Sequence, residues 1–424
     1  MQTNRQEVAV ACALNVHSEI APLKKVLVKR PGAELLNISP GELDRLLFDD
    51  VPFLEVAQQE HDAFTGILRA QGAEVVYLDD LVAQALDAVP GARGEFVARW
   101  LDETGISNRM LLDAVHERLD AIDNTLELVR KTMSGIRRDE LDLPGPQTQT
   151  LARLVGEAPD GHADLIVDPM PSLYFTRDPF AVVGHGVCLN HMYATVRNRE
   201  SLYGDVIFRH HPDFQGVPRW YVRENPFHIE GGDILNLNAR TVAVGISQRT
   251  QAAAIDTLAQ AMFWGDEPGE VDTILAFSIP SSRAFMHLDT VFTQIDYDKF
   301  TIHPLIMGTL RVFRMTRGAH AGEVRIEQAD EPLDRVLARA LGVDGVMLVK
   351  CGGKDPIAAS REQWNDGSNT LCLSPGVLCV YQRNTATNEA LRRAGMELHV
   401  MPSSELSRGR GGPRCMSMPL WRED

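Results

Sequence analysis

The strongest constraint on this chain is a repeat. Three segments share one plan: FTRDPFAVVGHGVCLN, running through Asp178; IEGGDILNLNARTVAVG, through Asp233; and MHLDTVFTQIDYDKFTI, through Asp289. Each has an acidic residue, an alternating apolar run, a turn and a second such run, the period-two pattern of paired strands. The three aspartates stand 55 and 56 positions apart. The segment after the second strand also recurs. VAVGISQRTQAAAIDTLAQAM and VLCVYQRNTATNEALRRAGMEL both read as strand, then Arg-Thr or Arg-Asn-Thr, then amphipathic helix. Repetition of such a unit predicts a radially repeated α/β body, such as a propeller. The alternative is a plain α/β sandwich with coincidental spacing. In radial α/β folds the strand ends converge near the axis, where sites are built. Asp178, Glu230, Asp233, His287 and Asp289 lie at or just before strand starts, so they are expected to meet.

The rest of the chain is arranged around that body. KKVLVKR, from Lys24 to Arg30, reads as a strand closed by Pro31-Gly32. Val51 to Gln71 has helical spacing, and EVVYL, from Glu74 to Leu78, reads as the next strand. Beyond Asp79, Leu112, Val115, Leu119, Ile122, Leu126 and Val129 recur at steps of three and four, the stripe of an amphipathic helix. Joints are expected at Pro90-Gly91 and Gly135, and a helix end at Leu143-Pro144-Gly145-Pro146. Residues 1–78 are thus read as the start of the body, 79–155 as a helical insertion and 156–424 as the remainder, with Glu397–Met401 as the last strand.

Charge and cysteine usage narrow the class. A formal charge of −16 over 424 residues argues against nucleic acid or an anionic membrane as main partner, and suits a cationic small molecule. Cys12, Cys188, Cys351, Cys372, Cys379 and Cys415 are scattered with no CxxC pair, so neither a disulfide framework nor a zinc site is expected. The apolar stretch Val8–Leu14 is too short for a signal peptide and reads as a disordered or strand-leading segment. No apolar run approaches the roughly 18 residues of a membrane span. A cytoplasmic protein is expected.

Cys415 is the best nucleophile candidate. It sits in SRGRGGPRCMSMP, flanked by Arg408, Arg410 and Arg414, and nearby positive charge lowers a thiol pKa. A single Arg-Gly segment in so acidic a chain, without stacking aromatics, is a poor RNA-binding element. The other cysteines read as small buried hydrophobes or incidental residues. A cysteine nucleophile needs an acid/base, and His287 is the candidate. Asp289 stands two positions on, which in a strand puts both side chains on one face. Glu230 is expected to hold the imidazole, with Gly231-Gly232 permitting close approach. The remaining histidines, including His185, His191, His210 and His211, have no metal-ligand context and read as surface residues. Carboxylates beside a thiol suit neither an amide nor its oxyanion, which needs donors. They do suit a guanidinium, a planar fork of five N–H donors that pairs with carboxylates. The expected substrate is therefore a cation with a C–N bond to break.

At these residues the chain resembles the bacterial arginine deiminases of the guanidine-modifying superfamily. The resemblance starts at VHSEIAPLKKVLVKRPG and LLFDD and continues through FTRD, EGGD, MHLDTVF, WNDGSN and GRGGPRCMSMP, nearly the whole chain. It implies an α/β fold, a fivefold pseudosymmetric α/β propeller with a helical insertion. It also implies a nucleophile, Cys415; an acid/base, His287, oriented by Glu230; and a guanidinium clamp, Asp178 and Asp289. Arg197, Arg249 and Arg410 would meet the substrate carboxylate or shape the pocket, although Arg197 and Arg249 stand where a solvated helix start is equally natural. Leu47, Phe175 and Gly409 would line or close the pocket, and Ser172 and Asp233 are placed with them. Ser172 departs from the family, which commonly has Asn there; Ser368 and Met418 replace a usual Asn and Cys.

The implied reaction converts L-arginine and water to L-citrulline and ammonia, with no cofactor and no metal. The expected partner is this small molecule, without nucleic acid or membrane, in a homo-oligomer. Dimethylarginine hydrolysis, agmatine deimination, amidino transfer and a non-catalytic binding protein on the same fold are the competing readings. The resemblance also bears on the thiol. Asp178 and Asp289 would raise the Cys415 pKa in the empty site and the substrate cation would reverse this, against the flanking arginines.

Overall fold

The computed structural model describes residues 13–143, 151, 165–266, 268–307 and 310–423. Val8–Cys12, the Pro144–Pro146 helix end and the boundary at Val155 lie outside the described residues.

Five sheets follow one plan: an antiparallel hairpin, then a third strand parallel to its second member. Phe180–Val183, Gly186–Leu189 and Arg219–Tyr221 form one. Ile234–Asn238, Thr241–Ile246 and Thr273–Ser278 begin the next, which Arg311–Arg317 and Val324–Gln328 extend antiparallel to five strands. Phe292–Asp296, Lys299–Ile302 and Met347–Lys350 repeat it, as do Leu371–Ser374, Val377–Tyr381 and Glu397–Met401. These four hairpins close over two residues each, Gly184-His185, Ala239-Arg240, Tyr297-Asp298 and Pro375-Gly376. Gly184 and Gly376 supply positive φ of 58° and 76°. A parallel third strand needs a crossover. Helices Glu200–His210, Ala252–Trp264, Leu333–Leu341 and Thr385–Arg393 lie in the four crossovers.

The fifth sheet corrects an expectation. Glu397–Met401 is not the last strand: Met418–Arg422 follows Cys415 and runs antiparallel to Leu23–Val28, which pairs parallel with Glu74–Tyr77 across helix Leu54–Ala70. Pro419 and burial along nearly the whole strand hide its alternation. The two regions of the chain farthest apart in sequence therefore complete one unit of the same plan.

Between Leu78 and Ser134 the chain forms four helices, Leu78–Ala88, Ala92–Asp102, Arg109–Asp120 and Thr125–Ser134. Pro90-Gly91 separates the first two as expected. Gly135, at φ 77°, does not join helices but leads into strand Ile136–Arg137. Two further starts come from Asn108 and Asn124, whose side chains accept the Leu111 and Glu127 N–H groups. The helices' apolar faces, including Leu81, Trp100 and Val129, share a core with Phe180, Val187 and Tyr203 of the body. No helix among the described residues is long and apolar enough to cross a membrane.

Candidate active site

The site is assembled from tight turns that lead into the first strand of successive sheets. The Asp178 N–H donates to the Phe175 carbonyl (3.3 Å), Asp233 to Glu230 (3.0 Å) and Asn369 to Asp366 (3.0 Å), three turns of one size. His287 and Asp289 are not on a strand, contrary to the expectation. His287 is extended, at φ −132° and ψ 163°, and Leu288–Thr290 form a 3₁₀ turn. Asp233 fixes that turn by accepting the Leu288 N–H (2.7 Å) and the Ser247 hydroxyl (2.6 Å). Gly232 is required here: a Cβ on it would stand 2.6 Å from the His287 ring. Asp233 thus supports the turn.

The five residues singled out for chemistry are all buried and meet. His287 Nε2 lies 2.7 Å from Glu230 Oε2, and its Nδ1 3.9 Å from Asp178 Oδ1. The Cys415 thiol donates to Asp289 Oδ2 at 3.6 Å. Arg197 Nη1 donates to Asp178 Oδ2 (3.0 Å) and Arg414 Nη1 to Asp289 Oδ2 (2.8 Å). Asp178 and Asp289 each keep the other oxygen, Oδ1, buried and without a hydrogen bond from any described residue.

Charge is distributed unequally among these groups. Burial opposes the Glu230 carboxylate, but Arg249, the His287 bond and Arg197 outweigh it and hold the carboxyl well below its usual range. Burial likewise opposes the His287 cation, but Asp178, Glu230 and Asp233 raise it to about 9. These carboxylates favour the imidazolium form of His287. The Cys415 thiol is pushed well above its ordinary value by burial, then by Asp289, Asp178 and Asp366. The flanking arginines do not lower it, because they are committed elsewhere. Arg414 is locked between Glu19 and Asp289, and Arg408 pairs with Asp50 and Glu405.

Arg197 and Arg249 are buried, not on a solvated face. Arg197 donates to Glu200 and Asp178. Arg249 lies over the Tyr193 ring (5.4 Å), 3.8 Å from Glu230 Oε2, with Nε and Nη1 unbonded to any described residue. Arg410 stacks on Trp364 (3.7 Å to the centroid) and reaches Asp49 (3.5 Å). Gly409 and Gly411 lie against Tyr174 and Phe175, where a Cβ would collide at 2.2 Å in each case. Ser172 is buried in the same turn as Phe175. Half-buried Leu47, at φ 64°, precedes Asp49, whose N–H donates to the Arg408 carbonyl.

Sequence reasoning missed Glu19, Asn369 and Asp366. Glu19 takes two hydrogen bonds from Arg414, both 3.0 Å. Asn369 accepts the Cys415 N–H (3.1 Å) and donates to the Asp289 carbonyl (3.3 Å), tying nucleophile to clamp. The signal was the Asp-Gly-Ser-Asn spacing of WNDGSN, which matches Glu-Gly-Gly-Asp. Among the other histidines, His17, His61, His211 and His303 are buried rather than superficial. Asp178, Glu230 and His287 offer ligand atoms within 4.8 Å of one another, a set able to hold a metal ion. Arg197 and Arg249, both within 4 Å of Glu230, already supply the positive charge a metal would bring.

Comparison with known proteins agrees with this geometry. The arginine deiminase family model matches residues 44–422. The chain is 52% identical to an arginine deiminase of Treponema denticola over 412 residues, covering 97% of this chain and 99% of that one. It is 50% identical to one from Clostridium perfringens over 416 residues, covering 97% and 98%. Its fold resembles SxtG, an amidinotransferase from Microseira wollei, at a TM-score of 0.53 and 16% identity, covering 97% and 98% of the two chains. Matched over nearly its whole length at half identity, the chain belongs to the arginine deiminase family.

Proposed function

We propose that this chain hydrolyses L-arginine to L-citrulline and ammonia through a covalent amidino-cysteine intermediate. The observation that carries the reading is the pair of buried oxygens, Asp178 Oδ1 and Asp289 Oδ1, that accept no hydrogen bond from any described residue, with the Cys415 thiol donating to the other oxygen of Asp289. They are acceptors placed for a guanidinium, and relatives at 50–52% identity carry the matching name. The Cys415 thiolate attacks the guanidinium carbon. The His287 imidazolium gives its proton to one nitrogen, which leaves as ammonia, and the C–S bond remains. Neutral His287 then takes a proton from water as the oxygen attacks the same carbon. The C–S bond breaks, thiolate leaves, and the proton lost from the product C–OH passes to ammonia. Arg249 and Arg410 face the substrate carboxylate, Arg197 holds Asp178, and Phe175, Leu47 and Gly409 enclose the chain. Citrulline and ammonia release from L-arginine, with agmatine and dimethylarginine alongside, tests the reading; turnover of agmatine in preference to arginine would overturn it.

The remaining parts of the reading are proposals as well. The five like sheets support a propeller-type arrangement of 1–78 and 156–424 around helical residues 79–155. The partner is a small molecule, not nucleic acid or membrane, and the protein is a cytoplasmic homo-oligomer with no cofactor.

Two predictions arise here. The empty site holds Cys415 as a thiol, and the substrate cation favours loss of its proton to solvent, leaving the thiolate beside the His287 imidazolium. Iodoacetamide inactivation of the free enzyme is therefore slow at pH 7 and still rising at pH 9; a plateau below pH 7 would refute the idea. Ser172 lacks the reach and second polar atom of Asn, so Ser172→Asn lowers KM for arginine several-fold, by about one hydrogen bond's worth, roughly 1 kcal/mol. An unchanged KM counts against that role.

A further inference from the structure

Asp366 occupies a costly position that the catalytic steps leave unused. It is 2% exposed, and neither carboxylate oxygen receives a hydrogen bond from any described residue. Its backbone is left-handed, at φ 57°. Leu47 and Arg410 are the other non-glycine residues with positive φ among the described ones, and both belong to the same site. Strain of this kind concentrates where function requires a fixed geometry. A buried acceptor with no donor is unfavourable as well. Two such costs at one residue have a physical explanation if the carboxylate is satisfied in another state of the protein.

The turn geometry says where that satisfaction comes from. Asp366 accepts the N–H of Asn369 three positions on, as Glu230 does for Asp233 and Phe175 for Asp178. Each turn leads into the first strand of its sheet. Glu230 and Phe175 both face the site, and Asp366 holds the corresponding place in the sheet that begins at Leu371. Its charged surroundings agree: Arg410 attracts it, Asp289 and Asp49 repel it, and His287 attracts it. It also acts on Cys415, raising the thiol after Asp289 and Asp178.

We propose that Asp366 is a third carboxylate of the cation pocket, accepting hydrogen bonds from the bound guanidinium alongside Asp178 and Asp289. The proposal rests on the arginine reading above. A guanidinium carries five N–H donors. The free oxygens of Asp178 and Asp289 satisfy two of them, and Asp366 offers acceptors for others. Positive charge on the ligand removes the repulsion from Asp289 and Asp49 that burdens Asp366 in the empty site.

The test separates charge recognition from structural support. Binding of L-arginine and of L-citrulline, its neutral isostere, is measured by calorimetry on the full chain carrying Cys415→Ser, with and without Asp366→Asn. Asn tolerates left-handed backbone, so the turn is preserved; Asp366→Ser is a second neutral variant should the first fail to fold. Loss of a charge-assisted hydrogen bond predicts roughly 10- to 100-fold weaker arginine binding, and citrulline binding altered by less than about threefold. Asp366→Glu restores the preference for arginine. Agmatine and 5-guanidinopentanoate, which keep the guanidinium, lose affinity in parallel with arginine. Equal losses for arginine and citrulline, or a loss spared in 5-guanidinopentanoate, which lacks the α-ammonium, would overturn the assignment. Unchanged arginine binding in an enzyme whose unsubstituted form releases citrulline sinks the Asp366 role alone. An unsubstituted form that neither binds arginine nor releases citrulline sinks the underlying reading.

Discussion

Cys415→Ser lowers citrulline release by a factor of about 10⁴ or more while leaving arginine bound. The serine hydroxyl keeps the shape but ionises far less readily than a thiol, and the pocket already opposes an anion there. Burial and Asp289, Asp178 and Asp366 all act against it. No other described cysteine substitutes. Cys188, Cys351, Cys372 and Cys379 are buried, with thiols raised by that burial. Acid-quenching the unsubstituted enzyme with arginine and digesting it yields an amidino adduct on the Cys415 peptide, and the serine variant yields none. An adduct on another residue, or turnover retained within about tenfold, would reject Cys415 as the nucleophile.

Glu19→Gln destabilises the protein by about 3–5 kcal/mol, because it leaves the buried Arg414 guanidinium without one of its two carboxylates. Arg414 Nε and Nη2 donate to Glu19, Nη1 to Asp289 and Nη2 also to the Ile234 carbonyl (2.8 Å). Burial raises the Glu19 carboxyl, but Arg414, Arg177 and Arg422 outweigh it and bring it from an ordinary 4.5 to about 2. A carboxyl depressed in the folded state stabilises it fully above the unfolded value and loses that contribution as pH falls through the folded one. A shift of this size corresponds to roughly 3 kcal/mol at most. The gap in denaturant midpoint between the two proteins is therefore full at pH 7 and narrows from about pH 4.5 towards 2. Equal midpoints at pH 7, or a gap unchanged on acidification, argue against the triad. Activity falls as well, since Arg414 also orients Asp289.

The repeat was legible because its period reflects backbone geometry that each unit must satisfy for itself. Two-residue hairpin loops and strand-leading acidic residues recur in the letters as they do in space. Asp178, Glu230, His287 and Asp289 were legible for the same reason, since each precedes a strand in an equivalent unit, whereas Cys415 was singled out by its arginine-rich loop. Residues whose value depends on contacts between units were not. Glu19 and Arg414 are nearly the full chain apart and look like ordinary charges until folded. The final strand was missed because a proline and a charged end mask its alternation. His287 and Asp289 were expected to share a strand face, but Asp289 lies in a 3₁₀ turn pinned by Asp233, and His287 pairs with Glu230 and Asp178 instead. The flanking arginines misled because proximity in sequence was taken for an unpaired charge, and folding commits those charges to carboxylates.

The joining of Leu23–Val28 with Met418–Arg422 has a consequence for synthesis. The Asn15 side chain donates to the Arg422 carbonyl 407 positions away, and Cys415 sits immediately ahead of the closing strand. Cys415 is thus made after the strands of the other four sheets, and Arg414 beside it must reach back to Glu19, made before them. Contacts of such long range form late and slowly. The surroundings of Cys415 are therefore complete only once Leu23–Val28 and Met418–Arg422 have paired.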